Sequence, residues 1–87
     1  MYARRVKLQI SPHARVRIQE RGIAIAEVES TIAAPRATIA LIDGRTEYQA
    51  IVQRNGKPVL LRVITVVDVL VTAMLTSRIA KYEVLPR

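Results

Sequence analysis

Apolar and polar positions change rhythm once along the chain. Up to Pro35, apolar residues recur three or four apart: Ala14 and Ile18, then Ile25, Val28 and Ile32. That spacing puts them on one stripe of a helix. Beyond Pro35 the apolar residues are mostly β-branched and set close together, with turn dipeptides between them, which is the pattern of strands.

Punctuation sets the element boundaries. Ser11-Pro12 predicts a helix start, because Ser can cap orphan N–H groups and Pro is preset for the first helical position. Gly22 is the matching stop, which places a first helix over residues 12–21. A second helix is expected over 25–33, with Glu29 a marginal member of its period. Pro35 ends it, since a residue preceding proline is pushed out of the helical region. The short link makes the two a helical hairpin.

Four strands follow: 37–42, closed by Asp43-Gly44; 45–54; 59–66; and 69–76. Asn55-Gly56 is the strongest hairpin signal, since both positions of such a turn take positive φ. A tight turn is expected at Val67-Asp68, where no glycine helps, and residues 82–85 are read as a short edge strand. The fold class is therefore α+β, with two N-terminal helices packed on one face of a four-stranded antiparallel sheet.

Size and composition narrow the possibilities. Eighty-seven residues make one domain, one that buries only roughly 60–65% of its unfolded surface. There is no Cys and a single His, so no disulfide and no zinc cluster can support it. Stability rests on apolar packing, which a homodimer or another partner can extend. No metal or cofactor is called for. The apolar run 59–75 contains Arg62 and Asp68 and reads as two strands, not as the ~20 apolar residues of a membrane span. Residues 1–7 are basic but lead into Gln9, Ser11, Pro12 and His13, not into an apolar signal core. The expected location is the cytoplasm.

Charge points to a partner. Lys and Arg number 14 against 7 Asp and Glu, for a formal charge of +7. Most of the basic residues are Arg, whose fork pairs with phosphate bidentately. Solubility alone can explain such a charge, but a polyanion is the sharper reading: RNA, or an acidic protein. The lack of Phe and Trp, with only Tyr2, Tyr48 and Tyr82, argues against a base-stacking platform of the RRM or OB type.

Candidate chemistry gathers around His13. It lies one residue inside the first helix, at the positive end of the helix dipole, and imidazole is the side chain that exchanges protons near neutral pH. That suits a general base. A cap-satisfied histidine without a role is the plain alternative. Arg17 and Arg21 follow at spacings of four and eight, a line of positive charge that could hold a phosphodiester. Glu20 beside them equally suits a solvated helix face. Arg62 interrupts an apolar strand, where a charge needs a partner or a cleft. Glu47 and Asp68 are the candidate partners. Arg45 and Tyr48 lie on opposite faces of the second strand, and Thr72 offers a hydroxyl to phosphate.

Taken together, Ser11-Pro12-His13-Ala14, Glu20-Arg21-Gly22-Ile23, Val28, Ile32, Pro35, Gly44-Arg45, Tyr48, residues 63–67 and Val69-Leu70-Val71-Thr72 form a pattern. Over about residues 8–74 it resembles the small bacterial proteins of domain-of-unknown-function family forty-two fifty-eight. Their usual opening is Ser/Thr-x-His-Ala, then Arg, then Glu-Arg-Gly-Ile. That family is grouped with RelE, BrnT and EndoU-like nucleases. The resemblance implies a RelE-like fold and a metal-independent ribonuclease of toxin type, cutting RNA through the 2′-OH and often held by an acidic antitoxin. It carries His13, Arg21, Arg45 and Thr72 over as site residues. With the charge reading, the expected catalytic set is His13, Arg21 and Thr72, and the substrate-binding set Arg17, Arg45, Tyr48 and Arg62. Two departures stand out. Ala24 occupies a cap position where the family usually has Ser or Asp, and there is no second histidine, so Arg, Tyr48, Tyr82 or Lys81 would have to assist. A non-catalytic basic adaptor, binding nucleic acid or an acidic protein, is the alternative function.

Overall fold

The computed structural model describes residues 8–82. Helix α1 spans Pro12–Glu20. Ser11 caps it by accepting a hydrogen bond from the Ala14 N–H at 3.1 Å. Its other end closes as sequence predicts, around Gly22 at φ +70°. The Gly22 N–H donates to Gln19 O at 3.0 Å and the Ile23 N–H to Ile18 O at 2.9 Å. This is a Schellman closure, with Ile23 folded back toward Ile18, and both side chains are buried. Arg21 is thereby the C-cap rather than the last helical residue.

Helix α2 covers Ile25–Ala33, and its start needs outside help. Alanine has no side-chain acceptor, so only the reciprocal half of a capping box forms, with the Ala24 N–H donating to Glu27 Oε1 at 3.0 Å. Arg54, at the far end of the second strand, completes the arrangement. Its guanidinium donates to both Glu27 oxygens at 2.6 and 2.9 Å and to Gly22 O at 3.0 Å. One arginine thus ties the sheet to the turn between the helices.

The sheet is a meander of β1 (Ala37–Ala40), β2 (Arg45–Arg54), β3 (Lys57–Val66) and β4 (Val69–Thr76), antiparallel throughout and in that order. β1 ends two residues earlier than expected, because Ile42–Gly44 coils into a 3-10 turn with Asp43 at φ +63°. β3 starts two residues earlier, because Lys57 pairs with Arg54 directly across the Asn55-Gly56 turn. Asn55 and Gly56 both take positive φ, at 53° and 74°. Residue 82 is not in a strand: Ile79–Tyr82 forms a short helix, α3. The rest of the expected edge strand, 83–85, lies outside the described residues.

Helix α1 packs on β4, and α2 on β2 and β3. Both cover one sheet face, and Ala14, Ile18, Ile23, Val28, Leu61, Val63, Leu70 and Ala73 form the core between the layers. Strand alternation sends Glu47, Gln49 and Arg62 to the opposite face, where α3 meets them. Among the described residues no helix is long and apolar enough to cross a membrane.

Candidate functional site

The core decides where the cations of α1 can go. Ala14 and Ile18 are pinned in the interior. Their preceding neighbours His13 and Arg17 are rotated onto the rim, and Arg21 continues the same line. The opposite wall comes from β4. Its pairing with β3 shifts register between Ile64 and Thr65: Ile64 faces Thr72, while Thr65 faces Leu70. Val71 is the extra residue of a β-bulge, a device that re-aims side chains at sheet edges. β4 is an edge strand, so the bulge turns Val71 and Thr72 toward α1.

Between these walls runs an open groove of about 220 Å³ lined by His13, Arg17, Arg21, Val71 and Thr72 over a floor of Ala14, Ile18 and Ala73. No lining residue is acidic. Arg21 Nη1 donates to Thr72 Oγ1 at 3.0 Å and to Ala73 O at 2.9 Å. Those two bonds use both hydrogens of that nitrogen and fix the guanidinium in place. Among the described residues its Nε and Nη2 donors have no acceptor, and the Thr72 hydroxyl, accepting from Arg21, keeps its own proton to donate. The ion pairs among the described residues include neither Arg17 nor Arg21, although Glu20 is adjacent. The groove is cationic, and its imidazole is exposed. Among the described residues no cluster of three or more metal-ligating side chains occurs.

Of the residues singled out from sequence, His13, Arg17, Arg21 and Thr72 therefore meet, and three do not join them. Tyr48 pairs across the sheet with Val63 and packs against the core. Arg45 is exposed at the start of β2, on the face away from the helices. Arg62 is on that same face, in the ion pair that sequence allowed as its alternative. Its Nε and Nη2 donate to the two Glu47 oxygens at 2.8 and 3.0 Å, Nη1 reaches Met74 Sδ at 3.6 Å, and the guanidinium stacks 4.5 Å over the Tyr82 ring. Gln49 bridges the cluster, donating to Glu47 at 2.7 Å and to Tyr82 O at 2.9 Å. Burial on its own would push the Glu47 carboxyl up. The hydrogen bonds from Arg62 and Gln49 outweigh it and hold the group below the usual range.

Two contributors to the groove have no signal in the sequence. Val71 is set by a register shift that involves both β3 and β4. Gln9 forms a parallel bridge to Val69, with its N–H donating to Asp68 O at 2.7 Å and its O accepting from Leu70 N–H at 3.0 Å. This fixes where the chain enters α1, and hence where His13 stands. No family model matches the chain, and no curated protein and no solved structure matches it.

Proposed function

We propose that the groove binds the RNA backbone and that the protein is a metal-independent ribonuclease of toxin type. One observation carries this reading: an imidazole, two guanidiniums without carboxylate partners among the described residues, and a hydroxyl converge from elements about 50 residues apart. In the proposed step His13 takes the proton of a ribose 2′-OH. The 2′-oxygen attacks the adjacent phosphorus and the 5′-oxygen leaves, taking a proton from solvent or from the imidazolium. The products are a 2′,3′-cyclic phosphate and a 5′-hydroxyl. Arg21, held by Thr72 and Ala73, would stabilise the charge that builds on the phosphoryl oxygens, with Arg17 steering the strand. The resemblance noted above agrees with this chemistry, and the basic charge suits an acidic antitoxin as the protein partner.

A basic adaptor is the second reading, favoured by a specific feature. His13 is the groove's only side chain suited to moving a proton near neutrality, and cleavage through the 2′-OH wants a base and an acid. One experiment separates the two. Purified protein is mixed with RNA and with the same strand carrying 2′-deoxyriboses. Cleavage confined to the ribose strand supports the nuclease. Binding of both without cleavage supports the adaptor. In either case log affinity should fall by roughly 0.7 per phosphate contact for each log unit of salt. A flat salt response removes RNA as the partner and leaves an acidic protein.

A further inference from the structure

The lining of the groove also bears on what it does not read, and this inference rests on the RNA-binding reading. Sequence readout of RNA uses aromatic or guanidinium planes to stack unpaired bases, and amide or carboxylate groups to match their edges. Among the described residues the groove contains no Phe, Tyr, Trp, Asn, Gln, Asp or Glu, and its planar side chains are His13, Arg17 and Arg21. At about 220 Å³ it falls below the roughly 300–1,000 Å³ of pockets that enclose a whole small ligand. Among the described residues the tyrosine of the helix-covered face, Tyr48, is packed against the core. Arg21 has both Nη1 hydrogens committed to Thr72 and Ala73, so it cannot present its Nη1/Nη2 end as a fork to a base edge. The planar groups that remain are the ones the proposed step commits to the backbone: Nε and Nη2 of Arg21 and the Arg17 guanidinium to the phosphate, and the His13 imidazole to the 2′-hydroxyl, with the Thr72 hydroxyl beside them. We propose that the groove is base-blind: it holds one phosphodiester with its ribose and leaves the base in solvent.

The test uses the intact protein and uridine heptamers with 2′-fluoro riboses, which cannot be cut through the 2′-oxygen. The central position carries U, A, C, G or an abasic ribose, and binding is followed by fluorescence anisotropy at low salt. Guanine is the stringent member, because free Arg forks read its edge. The expected result is a set of five affinities within about threefold of one another. Base-edge readout discriminates by roughly 5- to 150-fold, so a preference above tenfold for any base, or such a loss at the abasic ribose, overturns the proposal while leaving RNA binding intact. No binding to any heptamer at low salt overturns the underlying reading instead. Arg17→Ala locates the effect. It sits on an exposed helix face and makes no ion pair among the described residues, so the fold should tolerate the change. It should weaken all five ligands alike, by about three- to tenfold for a lost phosphate contact. Unchanged affinities would place binding elsewhere and overturn the base-blind groove.

Discussion

The two faces of the sheet treat arginine in opposite ways. On the face away from the long helices, Arg62 has every donor nitrogen engaged, by Glu47 and by Met74 sulfur, and a tyrosine ring lies against its plane. Glu47 beneath it is 3% exposed. At the groove, Arg21 has one nitrogen anchored and two left over, and Arg17 has no carboxylate among the described residues. A buried guanidinium needs all its bonds made inside the protein, because nothing else replaces its water. A guanidinium on an open rim keeps its water and can exchange it for an anion. The contrast assigns Arg62 to the architecture and leaves Arg17 and Arg21 open to the proposed ligand. It also explains why one histidine on a rim is of more interest than one carboxylate in a core.

The sharpest way to break this comparison is Arg62→Met. It strands Glu47 in the interior, and unpairing a buried charge costs about 3 kcal/mol. In a domain of this size that lowers Tm by roughly 12–24 °C. Adding Glu47→Gln should recover a large part of the loss, and thermal unfolding of the single and double variants checks both. A small effect of Arg62→Met would mean that Arg62 is not structural. At the groove, His13→Ala should cut RNA turnover about a hundredfold. Its Tm should barely move, since the residue is exposed and such changes usually stay within ±0.5 kcal/mol. Equal cleavage by the variant would remove His13 from the mechanism.

Acid should separate the two faces as well. Glu47 and Glu27 both titrate below the ordinary value of 4.5 in the folded protein. For Glu27 the Arg54 hydrogen bond is the main cause. Groups depressed in this way contribute stability that is fully present above the unfolded value. It is lost as pH falls through the folded one. Urea midpoints measured downward from pH 6 should therefore decline below about 4.5, and less steeply in Glu47→Gln/Arg62→Met. A parallel decline in both proteins would count against the Glu47–Arg62 pair as the source.

A smaller effect is expected at the β3–β4 turn. Val67 sits at φ +54° and is 84% exposed, a left-handed conformation that strains a β-branched residue. Val67→Asn should stabilise by about 1 kcal/mol, read as a higher Tm with RNA binding unchanged. Smallest of all is Arg15→Ala. It is exposed on α1 but does not line the groove, and should change stability by less than about 0.5 kcal/mol and RNA affinity less than Arg17→Ala does.

Local chemistry made much of the fold legible. Ser11-Pro12 and Gly22 bounded α1 because caps and stops act within one turn of chain. Asn55-Gly56 marked its hairpin because positive φ is a property of those two residues. Alternation placed Arg45 and Tyr48 on opposite faces of β2. Where the reading missed, the competing cause was distant. Residue 82 went into α3, whose carbonyl and ring are held by Gln49 and Arg62, far away in sequence. The weak alanine cap of α2 is repaired by Arg54 from the end of β2.

The candidate site divides along the same line. The spacing of His13, Arg17 and Arg21 on one helix stripe follows from a period of 3.6 residues and is local. The excess of Arg and the scarcity of aromatic rings are properties of composition alone. Only the tertiary structure decided that Thr72 would face that stripe and that Arg62 would not. Thr72 arrives through a bulge that depends on β3 and β4 together, and Arg62 is turned away by the register of β2 against β3. Which cation lines the groove and which meets a buried carboxylate is a matter of which sheet face each occupies. That is settled by pairing between strands, where shifting the register by one residue exchanges the two faces.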